Sequence, residues 1–141
     1  MSVFDLSVNI LTKMYAEGFM ERYQKVFKAL GEMTRLKIIK LLAVKSFCVC
    51  ELAALLDMRQ PRISQHLRVL KEAGLVTERK EAYWNYYSLN REYLKQVFED
   101  FNVFLKEALE DHPDFKPVAA RIKHLHEDNR VARTKAKLKS R

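Results

Sequence analysis

Cys48 and Cys50 are the only cysteines of the chain, and a single valine separates them. Thiolates are the ligands that soft ions prefer, and they are also the reactive form in thiol oxidation. Cysteines this close in sequence make a poor framework for a structural disulfide. The pair therefore indicates a soft-ion site or redox chemistry; the alternative is that both side chains pack as small hydrophobic groups.

The spacing of this pair sets a condition on any ion that both sulfurs share. In a regular α-helix, side chains at positions i and i+2 point about 160° apart. Two cysteines in the first turn of a helix therefore bind one ion only if that turn is unwound or distorts. We expect such a distortion to shift the neighbouring helix and to couple the ion to whatever that helix binds.

The stretch from Phe47 to Leu75, which contains the pair, is typical of a helix-turn-helix. Its first helix has apolar residues at helical spacing on one inward face: Val49, Leu52, Ala53 and Leu56. Residues 57–60 form the turn. Pro61 suits a first helical turn, where its missing N–H removes no hydrogen bond. A second helix is therefore predicted from about Gln60 to Ala73, with Gly74 as its stop.

This second helix has one apolar face and one free face. At about 100° per residue, Ile63, Leu67 and Leu70 fall together on the apolar face. The free face carries amide, hydroxyl and guanidinium groups, which suit the base edges and phosphates of a major groove. These candidate DNA-binding residues are Gln60, Arg62, Ser64, Gln65 and Arg68. The alternative is an ordinary surface helix, because any amphipathic helix has a polar outer face.

Beyond Gly74, β-branched and aromatic residues predict a β-hairpin from Leu75–Arg79 and Tyr83–Leu89, with a charged tip at Lys80 and Glu81. A hairpin after a helix-turn-helix completes a winged helix, whose wing touches the DNA backbone or minor groove. The candidate wing contacts are Arg79, Lys80 and Tyr83. The alternative for this hairpin is a solvated turn without a partner.

The predicted fold is thus mainly α with a small β-hairpin: a winged helix-turn-helix between long N- and C-terminal dimerisation helices. Periodicity and caps predict the flanking helices at Phe4 to about Phe19, Tyr23–Leu30, Arg35–Val44 with Thr34 as cap, Asn90 to about His112, and Phe115–Leu125. The exposed aromatic side chains of the long helices are expected to pack against another surface, such as a second subunit. A second subunit would also present a second copy of the helix predicted at Gln60–Ala73, the reading helix, to an adjacent half-site of the DNA. We therefore expect a homodimer.

Composition and charge indicate one globular domain with an anionic partner. The chain has 141 residues, 48% of them hydrophobic, and a net charge of +8. Six positive charges and no acid lie in the last twelve residues: Arg130, Arg133, Lys135, Lys137, Lys139 and Arg141. We predict a winged-helix and dimerisation domain over 1–129, followed by a basic, disordered tail over 130–141 that attracts phosphates without reading sequence.

Signals for several other classes of protein are missing from the sequence. Glycine occurs only at positions 18, 31 and 74, so there is no glycine-rich phosphate loop, and no Cys-x-x-Cys or paired-carboxylate site is evident. No apolar run reaches the roughly 18 residues of a membrane span, and no secretory segment opens the chain. We predict a cytoplasmic protein that is not an enzyme, has no catalytic residue and no organic cofactor, and binds no membrane.

Four segments between Phe27 and Asn90 match the sequence pattern of a known protein family in their order and spacing: FKALGEMTRLKIIKLL, FCVCELA, RQPRISQHLRVLKEAGLV and RKEAYWNYYSLN. They resemble the ArsR/SmtB family of winged-helix metal-sensing repressors. The resemblance implies a homodimer that blocks transcription when metal-free and leaves its operator DNA on binding an ion. In that family a Cys-Val-Cys matching Cys48 and Cys50 binds As(III) or Sb(III), or larger soft ions.

The chain departs from the family pattern at several positions. Some arsenic repressors have a third cysteine where this chain has Ala53, so a three-thiolate site within one subunit is excluded. The third ligand would be water, an external thiol, or none. The additional ligand motifs of the family's cadmium, lead and zinc sensors are missing. Ala82 replaces a glycine that is common at the wing tip, and Arg59 replaces a usual Ser or Thr near the start of the reading helix.

Two other functions fit the same residues, and three histidines need an interpretation. A thiol redox-sensing regulator would use the same scaffold, whereas a soft-metal buffering protein would bind no operator. His124 and His126 lie beside Glu127, but their i, i+2 spacing is poor for a shared ion, so we interpret them as solvated. His66 lies close to the apolar side of the second helix and is predicted to pack against the protein rather than contact a base.

Overall fold

The structure, a computed structural model, describes residues 18–140, apart from the side chain of Phe19. The chain divides between Phe101 and Asn102 into two compact units. The helix predicted from Phe4 to about Phe19 lies outside the described residues. None of the helices within 18–140 is both long enough and apolar enough to cross a bilayer.

The first unit is a winged helix-turn-helix, as the sequence predicts. Its elements in chain order are α1 (Phe19–Leu30), α2 (Met33–Leu42), β1 (Phe47–Cys48), α3 (Val49–Leu56), α4 (Gln60–Glu72), β2 (Val76–Glu81), β3 (Trp84–Leu89) and α5 (Arg91–Lys106), which runs across the division between the units. The helix-turn-helix is formed by α3 and α4, and the wing by β2 and β3.

The apolar face of α4 forms the centre of this unit. Ile63, Leu67 and Leu70 are at most 1% exposed, and α4 packs against α3, whose Leu52 is fully buried. Burial of each such side chain contributes roughly 1.5–3 kcal/mol. The free face of α4 is therefore held by a close-packed core on its other side.

Capping groups decide where the flanking helices begin. The Glu32 carboxylate accepts a hydrogen bond from the Arg35 amide at 2.9 Å, so α2 begins at Met33 and Thr34 lies inside it. The predicted Thr34 cap was wrong because this longer side chain reaches the helix start first. Asn90 does cap α5, since its Oδ1 accepts from the Tyr93 amide at 3.3 Å.

The wing belongs to a three-stranded antiparallel sheet with strand order β1-β3-β2. The sequence does not reveal β1, which is only two residues long. It also misplaces the tip of the hairpin. Lys80 and Glu81 pair in the ladder with Asn85 and Trp84, so the turn lies two residues further on, at Ala82 and Tyr83.

Ala82 occupies the left-handed region of the backbone, with a φ of 55°. That region costs a residue with a Cβ roughly 1–2 kcal/mol. Glycine avoids this cost but gains freedom in the unfolded chain worth about 0.4–1 kcal/mol. We expect Ala82→Gly to stabilise the protein by about 0.5–1 kcal/mol, measured by thermal and urea unfolding.

Ala54→Gly is the matched control for this substitution, because Ala54 is exposed inside helix α3. There the same change is expected to destabilise by about 0.5–1 kcal/mol. Equal effects of the two substitutions would show that the wing turn stores no strain.

The second unit contains a short 3₁₀ turn at Leu109–Asp111 and helices α6 (Lys116–Lys123) and α7 (Asn129–Lys139). Helix α5 ends at Lys106, short of the predicted end near His112. Beyond that end, the ring of His112, which is 4% exposed, lies against the rings of Phe104 and Phe115.

Helix α7 differs from the disordered tail that the sequence predicts. Asp128 caps it by accepting a hydrogen bond from the Arg130 amide at 2.8 Å, and its Ala, Lys and Arg residues have high helix propensity. Charge alone predicted a solvated tail because charge runs carry no information about caps. The proposed division of the chain after residue 129 stays a prediction.

Candidate metal centre and nucleic-acid interface

The Sγ atoms of Cys48 and Cys50 lie 2.9 Å apart, and both thiols are free. Cys48 is the last residue of β1, with extended backbone angles, and α3 begins at Val49. The divergence of about 160° between side chains i and i+2 of one regular helical turn therefore does not apply to this pair. Because an extended residue precedes a helical one, the two side chains converge without any unwinding.

Glu51 holds this junction between strand and helix. Its Oε1 accepts a hydrogen bond from the Cys48 amide at 3.0 Å, and this bond lowers the pKa of the Glu51 carboxyl. Cys48 itself is only 4% exposed, whereas Cys50 is half-buried. Burial, followed by the hydrogen bond with Cys50, raises the pKa of the Cys48 thiol to about 11. Cys48 is therefore a thiol rather than a thiolate at neutral pH.

The donor set suits a soft ion bound by two thiolates. Two sulfurs bonded to one ion at about 2.3 Å lie roughly 3.3–3.8 Å apart for bond angles between about 90° and 110°. The observed 2.9 Å separation is therefore short by less than an ångström. Within residues 18–140 no group of three or more His, Cys, Asp and Glu side chains converges. The protein thus offers two ligands here, with the buried Ala53 nearby in the helix.

The cysteine pair borders the wing directly. Strand β1 is paired with β3 so that Cys48 lies opposite Tyr86, and Tyr86 lies opposite Arg79 of β2. Residues that face each other in an antiparallel ladder share one face of the sheet. Cys48, Tyr86 and Arg79 therefore form a single row across the three strands, from the thiol to a candidate DNA contact.

All the candidate DNA contacts lie on the surface, and they fall on two elements. Gln60, Arg62, Ser64, Gln65 and Arg68 are exposed on α4, and Arg79, Lys80 and Tyr83 are exposed on the wing. Arg79 is engaged by Glu81, with 3.1 Å between its Nη2 and the carboxylate Oε2. The assignment of these residues to DNA stays a prediction.

Two further exposed residues lie next to these candidate contacts in sequence, and neither is among the predicted DNA contacts. Trp84 is 55% exposed beside Tyr83, which is 95% exposed at the wing tip. Arg59 is exposed immediately before α4. The sequence did not identify Trp84 as a residue beside the wing tip, because the tip was predicted two residues too early.

His66 anchors α4 to the helices behind it. Its Nδ1 lies 3.4 Å from the Arg35 guanidinium and 3.7 Å from the Glu32 carboxylate. Arg35 also donates to the carbonyls of Ala29 at 2.6 Å and Lys28 at 3.2 Å, at the end of α1. His66 therefore packs against α1 and α2 and does not face the free side of α4.

The remaining histidine pair lies far along the sequence, in the second unit. His124 and His126 are 71% and 75% exposed, and each lies near the Glu127 carboxylate, at 3.3 Å and 3.5 Å. Surface pairs of this kind contribute little to stability.

Comparisons with known proteins agree with this architecture. A family model described as bacterial regulatory protein, arsR family, matches residues 32–78. A homodimeric winged helix-turn-helix DNA-binding domain from Mycobacterium bovis, described as a possible ArsR-family transcriptional regulator, matches with a TM-score of 0.53 at 33% identity. That match covers 67% of this chain and 87% of the domain.

Two relatives in sequence are informative. The HTH-type transcriptional regulator MJ1325 of Methanocaldococcus jannaschii is 46% identical over 84 residues, which are 57% of this chain and 94% of that protein. The arsenical resistance operon repressor of Escherichia coli is 45% identical over 67 residues, 47% of this chain and 57% of the repressor. The chain thus spans little more than half of that repressor. Because MJ1325 is covered almost end to end and the fold is a winged helix-turn-helix, the chain belongs to the arsR family of DNA-binding transcriptional regulators and is not an enzyme.

Proposed function

We propose that this regulator is a metalloid-responsive transcriptional repressor, which leaves its operator when As(III) or Sb(III) binds Cys48 and Cys50. One observation carries the proposal: the two thiols lie 2.9 Å apart at the end of a strand that pairs with the wing. The E. coli relative is an arsenical resistance operon repressor, which supports a metalloid as the inducer. Free thiols and a DNA target are both consistent with action in the cytoplasm.

Binding of arsenite at this site is a condensation and needs no oxidant. Each thiol replaces one hydroxide of As(OH)₃, so that an As–S bond forms while an As–O bond and an S–H bond break. The thiol proton leaves with the hydroxide as water. Two cysteines release two water molecules, and the third position on arsenic keeps a hydroxide or takes an external thiol.

An ion bound at this site would disturb both the wing and the reading helix α4. An ion that moves the sulfurs from 2.9 Å towards the wider spacing of shared ligands displaces Cys48 relative to Cys50. Cys48 lies in the ladder with β3, whereas Cys50 lies in α3, which packs against the reading helix α4. The ion therefore favours a different arrangement of wing and reading helix, and by reciprocity operator DNA weakens ion binding.

We assign different roles to the polar residues of the interface. Gln60, Gln65 and Ser64 carry no charge and suit base edges in the major groove. Arg62 and Arg68 bind either guanine edges or phosphates, and the wing residues Arg79, Lys80 and Tyr83 bind the adjacent backbone.

A homodimer would present two such interfaces to one operator. Part of the aromatic surface of α5 is covered within the subunit, where Phe101 contacts the rings of Tyr23 and Phe27 at 5.7 Å and 5.0 Å. Other apolar side chains of α5 stay exposed, among them Phe98 at 47% and Val103 at 49%. The M. bovis domain is a homodimer, which supports a second subunit as their cover.

The redox alternative uses the same two sulfurs. Their separation of 2.9 Å suits oxidation to a disulfide, with peroxide reduced to two water molecules. The thiolate is the species that attacks peroxide, and a Cys48 pKa of about 11 leaves little thiolate on that sulfur at neutral pH, so oxidation would begin at Cys50. Soft-metal buffering would leave the exposed polar face of α4 without a function.

The pH dependence of ion binding tests the proposal and identifies the class of ion. Condensation of arsenite with protonated thiols releases water and no net proton, so its apparent affinity should be independent of pH between about 6 and 7.5, below the ordinary pKa range of thiols. A divalent ion such as Cd²⁺ must expel at least the Cys48 proton, and its affinity should rise at least about tenfold per pH unit below the Cys48 pKa of about 11.

The measurement is a titration of the protein–DNA complex, followed by fluorescence anisotropy of labelled upstream DNA, with arsenite, antimonite, Cd²⁺, Zn²⁺ and peroxide. Release by arsenite with a flat pH profile supports the metalloid repressor. Release by Cd²⁺ or peroxide alone contradicts it, and so does a complex that arsenite leaves intact.

A further inference from the structure

We propose that helix α7 is a second DNA-binding element, which grips the phosphate backbone of duplex DNA beside the operator without reading sequence. The inference rests on the proposed DNA-binding function and extends it to the second unit. The family model ends at residue 78, so nothing in that match concerns this helix.

The charge of α7 is of one sign and open to solvent. Its eleven residues include five basic side chains and no acid, and all except Val131 are exposed. The Arg130 guanidinium binds Asp128 at 2.8 Å, and this contact lowers the pKa of the Asp128 carboxyl to about 2. Across residues 18–140, by contrast, no acidic group pairs with the other four basic side chains: Arg133, Lys135, Lys137 and Lys139.

These four side chains form two rows along the helix. At about 100° per residue, Arg133 and Lys137 lie about 40° apart, and Lys135 and Lys139 lie about 40° apart on nearly the opposite side. Members of each row are about 6 Å apart along the axis, close to two phosphate steps of about 3.4 Å along one strand. A helix with basic rows on both flanks suits a groove of duplex DNA, whose two walls each carry a line of phosphates.

The composition of α7 favours duplex DNA over a membrane surface. A helix that lies on a bilayer needs a wide apolar face with aromatic or leucine side chains. Here Val131 and Leu138 are the only large apolar residues among Asn129–Lys139. The helix also lacks the glutamines and arginine–glutamine pairs that give α4 its base-reading character, so its contacts with DNA are electrostatic.

The test is the salt dependence of DNA binding by a fourfold variant, Arg133→Gln, Lys135→Gln, Lys137→Gln and Lys139→Gln, in the full chain. Glutamine keeps helix propensity near that of lysine. The matched control removes four charges from outside α7: Lys106→Gln, Lys116→Gln, Arg121→Gln and Lys123→Gln. Each protein is titrated into an operator duplex and a random duplex between about 50 and 200 mM salt.

The α7 variant is expected to bind both duplexes more weakly by the same factor. The slope of log K against log salt should become shallower by about 0.9 for each lost phosphate contact, up to about 3.6 per subunit. Preference for operator over random DNA and release by arsenite should both persist, and the control should keep the original slope.

Three results would overturn this inference while leaving the proposed repressor standing. The slope of the α7 variant is unchanged, or the control loses as much slope as the α7 variant, or the wild type binds anionic lipid vesicles through α7 without any effect on DNA. Loss of helicity in the variant is checked by circular dichroism. Failure of the wild type to bind its upstream DNA, or to respond to arsenite, would instead contradict the proposed function.

Discussion

The Cys48→Ser variant is expected to stay on its operator in the presence of arsenite. Couplings between two ligands are typically about 1–3 kcal/mol, so saturating arsenite should weaken operator binding by the wild type about 5- to 150-fold. Serine replaces a soft sulfur ligand with a poorly ionised hydroxyl, which leaves arsenic one protein ligand. Operator affinity without arsenite should equal that of the wild type, because neither cysteine is among the predicted DNA contacts.

Two further variants separate loss of the ligand from loss of the fold. Cys48 is buried, so a substitution there also changes packing. Cys50 is half-buried, and the Cys50→Ser variant should likewise stay on the operator in the presence of arsenite. Ser46→Ala is the matched control. It removes a hydroxyl contact at 2.5 Å between Ser46 and Ser88, beside β1, without touching a sulfur. Ser46→Ala should respond like the wild type, and arsenite release from either serine variant would contradict the two-thiol site.

The second large effect is expected on the exposed face of helix α4. Gln65 is exposed on α4 and uncharged, so we expect Gln65→Ala to remove base contacts and no phosphate contact. Each good base contact is worth about 1–3 kcal/mol, and a homodimer loses it twice. Operator affinity should therefore fall by at least about 30-fold, while affinity for random DNA and the salt slope stay constant.

The Arg62→Ala variant distinguishes a lost base contact from a lost phosphate contact. Arg62→Ala should also weaken operator binding, but it should reduce the salt slope by up to about 0.9 per subunit if Arg62 binds phosphate. Gln24→Ala, an exposed glutamine on α1, is the matched control and should bind the operator like the wild type. Equal weakening of operator and random DNA by Gln65→Ala would show that this residue does not read bases.

The proposed response depends on how the two thiols are attached to the fold. Cys48 is joined to the wing through one row of the sheet, and Cys50 belongs to the helix that packs on α4. We expect an ion shared between them to move the strand ladder relative to α3. The proposed coupling uses that difference in attachment, and Cys48 already lies outside α3 before any ion binds.

Local periodicity and capping were sufficient for much of this fold. The buried face of α4, with Ile63, Leu67 and Leu70, follows from helical spacing alone, and Pro61 and Gly74 mark its ends. Asn90 caps α5 as its residue type predicts. The prediction of a soft-ion site likewise follows from residue type, because the only two thiols of the chain are separated by a single residue. Each of these conclusions concerns residues within a few positions of one another.

Only the tertiary structure decided the features that depend on distant residues. Cys48 leaves the helix because β1 pairs with β3, and the partner strand lies beyond the entire helix-turn-helix. The wing turn lies at Ala82 and Tyr83 because cross-strand register, not local charge, determines which residues pair. The sequence by itself thus determined which side chains are on offer, namely two thiols and the polar face of α4. The row that leads from Cys48 through Tyr86 to Arg79 was decided by strand pairing, which hydrogen-bonds residues far apart in the chain.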